Sequence, residues 1–183
     1  MPAQIVLLRG INIGARNRIA MPELRQALEE AGFENVRTYV QSGNIVLSSK
    51  SKPPATARKV ERVIHDTFGL EIPVVVRTRA ELARVVKKNP LAKVADDPKR
   101  HQVSFLAEKL NRETEQKLAA TAAEQERVVF DGREIYAWHP AGVARSKLWA
   151  ALASNRLGVH ATARNWTTVT KLLELADEPS RSR

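Results

Sequence analysis

An α+β fold of two similar halves, each with an antiparallel sheet, follows from three features of this chain. Apolar residues recur at helical spacing in Met21, Leu24, Leu28 and Ala31, and again in Val60, Val63, Ile64 and Phe68. Apolar runs of strand length flank them at residues 4–8, 36–40, 45–48 and 72–77. A hairpin signal falls between consecutive strands in each half, Ser42-Gly43-Asn44 in one and Asp131-Gly132 in the other. Strand, helix, strand, strand, helix, strand is the split β-α-β order of a ferredoxin-like half.

In order along the chain, residues 4–8 show no polar alternation and read as a strand buried on both faces. The helix from Met21 to Ala31 has Pro22 in its first turn, where no N–H is needed, and Gly32 where a C-terminal cap belongs. Residues 36–40 and 45–48 pair through the hairpin, residues 50–54 connect, and Gly69 ends the second helix. A fourth strand covers 72–77. A helix over 80–88 then leads into Asn89-Pro90 and the polar stretch 96–100, where the halves divide. The second half has a strand at 102–107, a helix at 112–123, and strands at 127–130 and 134–138. A helix near 146–154, an extended piece at 159–163 and an extra C-terminal helix at 166–176 complete it. The domains expected are 1–78, a connecting helix and linker at 79–100, and 101–178, followed by a disordered tail at 179–183.

Composition narrows the function classes. Without cysteine there are no disulfides, thiolate metal sites or cysteine nucleophiles. No apolar run resembles a signal peptide or a membrane span, so the expectation is a cytoplasmic protein with no membrane partner. The formal charge is +10, and its distribution matters more than its size. No acid precedes Glu23, and none lies between Glu34 and Glu61 or between Glu134 and Glu174, whereas arginines and lysines populate all three gaps. Such unbalanced segments suit a phosphate-bearing ligand or nucleic acid. A basic surface that serves only solubility would give the same pattern.

The densest such segment runs from Leu8 to Met21, with Gly10 and Gly14 as turn formers and Arg9, Asn12, Arg16, Asn17 and Arg18 as donors. In a ferredoxin-like half the first two strands are parallel with the third between them. The loop after strand one and the hairpin after strand two therefore lie at the same end of the sheet. Arg9, Asn12, Gly14, Arg16 and Asn17 should then face Gln41, Ser42, Gly43 and Asn44. Arg9 and Arg16 supply charge, the amides supply directed hydrogen bonds, and the glycines allow close backbone approach. The loop is not a Walker loop, because no Gly-Lys-Ser/Thr follows it.

Three blocks carry a resemblance: Leu8-Arg-Gly-Ile-Asn-Ile-Gly-Ala-Arg-Asn17, Thr38-Tyr-Val-Gln-Ser-Gly-Asn-Ile-Val46 and Ala161-Thr-Ala-Arg-Asn-Trp-Thr-Thr-Val169, helped by Ser146-Lys147-Leu148. In these the chain resembles the bacterial family catalogued as domain of unknown function 1697. The family pattern usually has a second glycine where Ala15 stands and often lysine where Arg16 and Arg18 stand. The resemblance implies two ferredoxin-like halves and no particular reaction.

Arg164 joins the candidate set because a cation at a helix start is disfavoured unless an anion accompanies it. Thr162 or Asn165 serves as a cap to the last helix, and Trp166 as core. Ser146 reads as a cap, since adjacent Ser146 and Lys147 point in different directions on a helix. His65, His101, His139 and His160 lack metal-ligand spacing, so neither a metal site nor a cofactor is called, and no catalytic residue is identified. The strands at 4–8 and 45–48 hold no aromatics, and Phe105, Phe130, Tyr136 and Trp138 read as core, so phosphate contact is favoured over base stacking. Binding of a phosphate-bearing anion, including nucleic-acid backbone, at the loop and hairpin is the leading expectation. The alternatives are an enzyme acting on a small phosphorylated or carboxylated substrate, and a structural or interaction protein whose motifs only hold the halves together. Oligomeric state leaves no mark on the sequence.

Overall fold

The computed structural model describes residues 1–179. It divides into two units, one of residues 1–83 with the segment from Lys171 onward, the other of residues 84–170. The expected tail lies, apart from Pro179, outside the described residues.

The first unit contains β1 (Ala3–Leu8), α1 (Met21–Glu30), β2 (Glu34–Tyr39), β3 (Asn44–Ser48), α2 (Pro53–Phe68) and β4 (Val74–Thr78), with sheet order β2-β3-β1-β4. β1 is antiparallel to β3 and β4, and β3 is antiparallel to β2, so β1 and β2 run parallel as the split β-α-β pattern requires. One core joins Val6 and Leu8 of β1, Leu24 and Leu28 of α1, Ile45 and Leu47 of β3, and Val60 and Ile64 of α2. Ile5 and Leu7 are buried as well, so β1 is covered on both faces, in keeping with its unbroken apolar run.

Local chemistry sets the element ends. At the end of α1, Gly32 N–H bonds Glu29 O and Phe33 N–H bonds Leu28 O, both near 3 Å, with Gly32 at φ +88. This is a Schellman cap closed by the buried Phe33. Gly69, at φ +67, ends α2 through a bond to His65 O. α2 begins earlier than expected. Pro53 and Pro54 form its first turn instead of a connecting loop, because first-turn N–H groups have no helical acceptor and proline forfeits nothing there.

The second unit repeats the pattern with β5 (His101–Leu106), α4 (Arg112–Ala119), β6 (Arg127–Asp131), β7 (Glu134–Trp138), α5 (Lys147–Leu152) and β8 (Ala161–Asn165), in sheet order β6-β7-β5-β8. α3 (Arg79–Lys88) and α6 (Trp166–Asp177) each cross the division between units. The β6–β7 turn is shifted by one residue from the Asp-Gly signal. Asp131 pairs with Glu134, leaving Gly132 and Arg133 at the tip, with Gly132 at φ +60. Ser146 and Asn165 cap their helices as expected, Ser146 accepting from Trp149 N–H and Asn165 from Thr168 N–H. The extended piece at 159–163 lies two residues further on and forms β8, the fourth strand of its sheet.

Candidate anion-binding site

The loop after β1 and the hairpin after β2 meet, as the parallel direction of β1 and β2 on either side of β3 demands. Leu8 N–H donates to Gly43 O at 2.9 Å, and Asn12 Nδ2 donates to Gln41 O at 2.8 Å. A Cβ on Gly43 would lie 2.6 Å from Leu8 Cβ, and Gly43 sits at φ +79. The close approach its glycine permits is thus to the end of β1. Gly14, at φ +59, stands in open space at the loop tip.

Residues 12–17 form a small two-stranded finger. Asn12 N–H bonds Asn17 O at 3.0 Å, Arg16 N–H bonds Ile13 O at 3.3 Å, and Ile13 and Arg16 form an antiparallel bridge around Gly14 and Ala15. Asn12 and Asn17 both adopt positive φ, at 53 and 48 degrees, which asparagine accepts more readily than most residues. Their side chains hold the base of the finger. The Asn12 amide donates to Ile19 O and Gln41 O and accepts from Ile19 N–H, and Asn17 Nδ2 donates to Gly10 O. Ile11 and Ile19 anchor the two ends in the core.

The candidate residues therefore divide by role. Asn12 and Asn17 spend their donors on the loop itself, and Asn44, which is buried, donates to Tyr39 O. The side chains of Gln41 and Ser42 are exposed on the hairpin. Arg9 is half-buried, and its N–H donates to Pro73 O. Arg16 and Arg18 are exposed and, among the described residues, neither guanidinium bonds to or pairs with anything. Two features escaped sequence reasoning. Ile13, at the tip, is 69% exposed, and Val40, beside Gln41, is 51% exposed at φ +51, a strained backbone for a β-branched side chain. The strand expected over 36–40 ends at Tyr39 for this reason.

Arg164 is a buried strand residue next to the helix start expected for it. It lies in β8, paired with Val103 of β5, and immediately precedes Asn165, the cap of α6, so it is a strand residue that also borders the helix start. It is buried, and its guanidinium donates to Thr162 Oγ1 at 2.6 Å and Ala163 O at 2.8 Å. Burial lowers its pKa to about 10. It belongs to the second unit, whereas the other candidates belong to the first.

Trp166, expected in the core, is half-buried and stacks on His101 with ring centroids 4.6 Å apart and planes within 8°. His101 is buried and its pKa falls to about 4 through loss of solvation. His139 is wholly buried and contacts a carboxylate that the scattered histidines did not foretell. Its Nδ1 lies 2.8 Å from Glu126 Oε1, Ser146 Oγ donates to the same oxygen, and Ala123 N–H donates to Oε2. Burial works to raise the Glu126 pKa, but the hydrogen bonds from His139, Ser146 and Ala123 outweigh it, leaving the carboxyl below its ordinary value. No group of three or more metal-ligating side chains occurs among the described residues. Phe105, Tyr136 and Trp138 are buried, and Phe130, also read as core, is half-buried and packs against that core.

A cleft of about 820 Å³ in the first unit runs along β2, lined by Phe33, Asn35, Arg37 and Leu175, with none of the loop or hairpin candidates among its walls. Its Arg37 is engaged, donating to Leu175 O at 2.7 Å and Pro179 O at 2.8 Å and pairing with Glu178. Among the described residues, no helix is long and apolar enough to cross a membrane.

Fold and loop geometry together define an α+β protein of two ferredoxin-like units, one of which carries a hydrogen-bonded cationic finger. The chain belongs to the family described as "Protein of unknown function (DUF1697)", which matches residues 1–136. It is similar in fold to a conserved bacterial protein, SP0830, from Streptococcus pneumoniae, with a TM-score of 0.78 at 23% identity over 96% of this chain and 99% of that one. Among curated proteins none matches it.

Proposed function

We propose that this is a cytoplasmic binding protein whose finger contacts the phosphates of nucleic acid. One observation carries the reading. Arg16 and Arg18 stand exposed without a partner on a loop whose asparagine amides are committed to holding it in shape. A guanidinium so placed offers forked donors to a phosphate with little further ordering of the loop. Nothing in the first 22 residues carries a negative side chain to compete for those donors.

The test is fluorescence anisotropy with labelled DNA and RNA over a range of salt concentrations, for the wild type and Arg16→Ala. Binding in the micromolar range or tighter is expected at physiological salt, with a steep salt dependence whose log–log slope Arg16→Ala lowers by about one. Binding that is absent, or indifferent to Arg16, would overturn the proposal.

A further inference from the structure

The most exposed large apolar side chain, Ile13, is not on an irregular loop but at the tip of the finger, three residues before Arg16. A solvent-exposed isoleucine is ordinary by itself. This one comes with other features. The finger is pinned at its base by both asparagine side chains and anchored by buried Ile11 and Ile19, so Ile13 is held out and has little freedom to fold back. A second exposed aliphatic residue, Val40, follows Tyr39 in the hairpin, and its neighbour Gln41 accepts from Asn12, the neighbour of Ile13. Val40 holds a left-handed backbone that a β-branched residue tolerates poorly. Arg16 and Arg18 supply the only charge along residues 10–22.

We propose, resting on the phosphate-contact reading above, that the partner is duplex DNA and that Ile13 acts as a wedge. Its side chain enters a groove and presses against a base step while Arg16 and Arg18 hold the flanking phosphates. An apolar side chain beside a base step unstacks it in part and bends the duplex, and the two arginines of the returning strand hold the bent backbone. The physical fit favours a duplex over a single strand. Single-strand recognition on a ferredoxin-like sheet stacks bases on several aromatics of the central strands. Here the central strands β1 and β3 have none, while Phe105 of β5 and Tyr136 and Trp138 of β7 are buried, leaving only Tyr39 and Phe130 half-buried on the edge strands β2 and β6. It also favours a duplex over a bilayer, since two aliphatic side chains bury too little area to hold a protein on a membrane, whereas one side chain suffices for a wedge.

The experiment measures affinity and end-to-end energy transfer on a doubly labelled DNA duplex for the wild type, Ile13→Ser, Ile13→Leu and Arg16→Ala. Single strands of the same sequence, an RNA duplex and anionic phosphatidylserine vesicles serve as comparison partners. Ile13→Ser is expected to bind the DNA duplex about tenfold more weakly and to bend it less, with the salt slope unchanged, and Ile13→Leu to retain both properties. Arg16→Ala lowers the slope instead. Wild-type binding with a steep salt slope that Ile13→Ser leaves untouched in affinity and bend would overturn the wedge alone. Equal or tighter wild-type binding to single strands, RNA or vesicles would overturn the choice of duplex DNA. Absence of salt-dependent binding to any nucleic acid would overturn the phosphate reading and the wedge with it.

Discussion

Lowering the pH tests the burial of His101 quantitatively. The ring is 1% exposed and stacked on Trp166, its Nε2 is buried with no partner among the described residues, and its pKa falls from 6.5 to about 4. In the unfolded chain the same imidazole takes up a proton near its ordinary value. Between the two values the unfolded state binds more protons, so stability is greatest above about pH 6.5 and falls as the pH drops toward about pH 4. The full difference is about 3 kcal/mol, of which roughly 2 kcal/mol is lost between about pH 7 and about pH 5. Urea denaturation at a series of pH values, followed by tryptophan fluorescence, reads this directly. His101→Phe keeps an aromatic ring over Trp166 and removes the titration. Its stability should therefore be nearly flat across the window in which the wild type loses stability. A wild-type profile flat from about pH 7 to about pH 5, or a His101→Phe profile with the wild-type slope, would refute the assignment.

Two further predictions concern how the elements are fastened. Gly43→Ala places a Cβ 2.6 Å from Leu8 Cβ at a φ of +79, so it should cost about 2–5 kcal/mol in urea denaturation, and a loss under about 1 kcal/mol would show that the hairpin does not press on β1 as described. Glu126→Ala removes the carboxylate that holds His139, Ser146 and Ala123 N–H, which should cost about 2–4 kcal/mol at neutral pH. Because the folded Glu126 pKa is depressed, its contribution is present above the ordinary value of 4.5 and disappears as pH falls through the lower, folded value. The gap between wild-type and variant stability should accordingly narrow as the pH falls below about 4.5.

Most of the architecture was legible because each element has a local cause. The helical spacing of Met21, Leu24 and Leu28, the capping position of Gly32 and the unbroken apolar run of β1 each have one physical solution, and the structure adopts it. Element edges were less legible where two local rules compete. Pro53 and Pro54 suit both a loop and a first helical turn, and the extended residues near Thr162 carry little apolar alternation to mark the strand that contains Arg164. Sheet order mattered most for the site, since β1 and β2 run parallel on either side of β3, which brings residues 12 and 41 into contact across 29 positions of sequence. The Glu126–His139–Ser146 contacts had no sequence signature, because they join the turn before β6, the end of β7 and the cap of α5.

What composition could not separate was which polar residues face outward. Asparagine and arginine in one loop look alike as donors, yet they differ in reach. The asparagine amide lies only three bonds from its own Cα and the residue tolerates the left-handed conformation, so Asn12 and Asn17 close onto nearby carbonyls and amides and fasten the turn. The longer side chains of Arg16 and Arg18 find no acceptor on the finger and extend into solvent. The finger thus has a division of labour, in which short polar side chains set the backbone and long ones are left exposed for the phosphate contact proposed above. The same division explains why Ile13 is displayed. Once the asparagines lock the finger, the side chain at its tip has no core within reach and is available only to something outside the molecule.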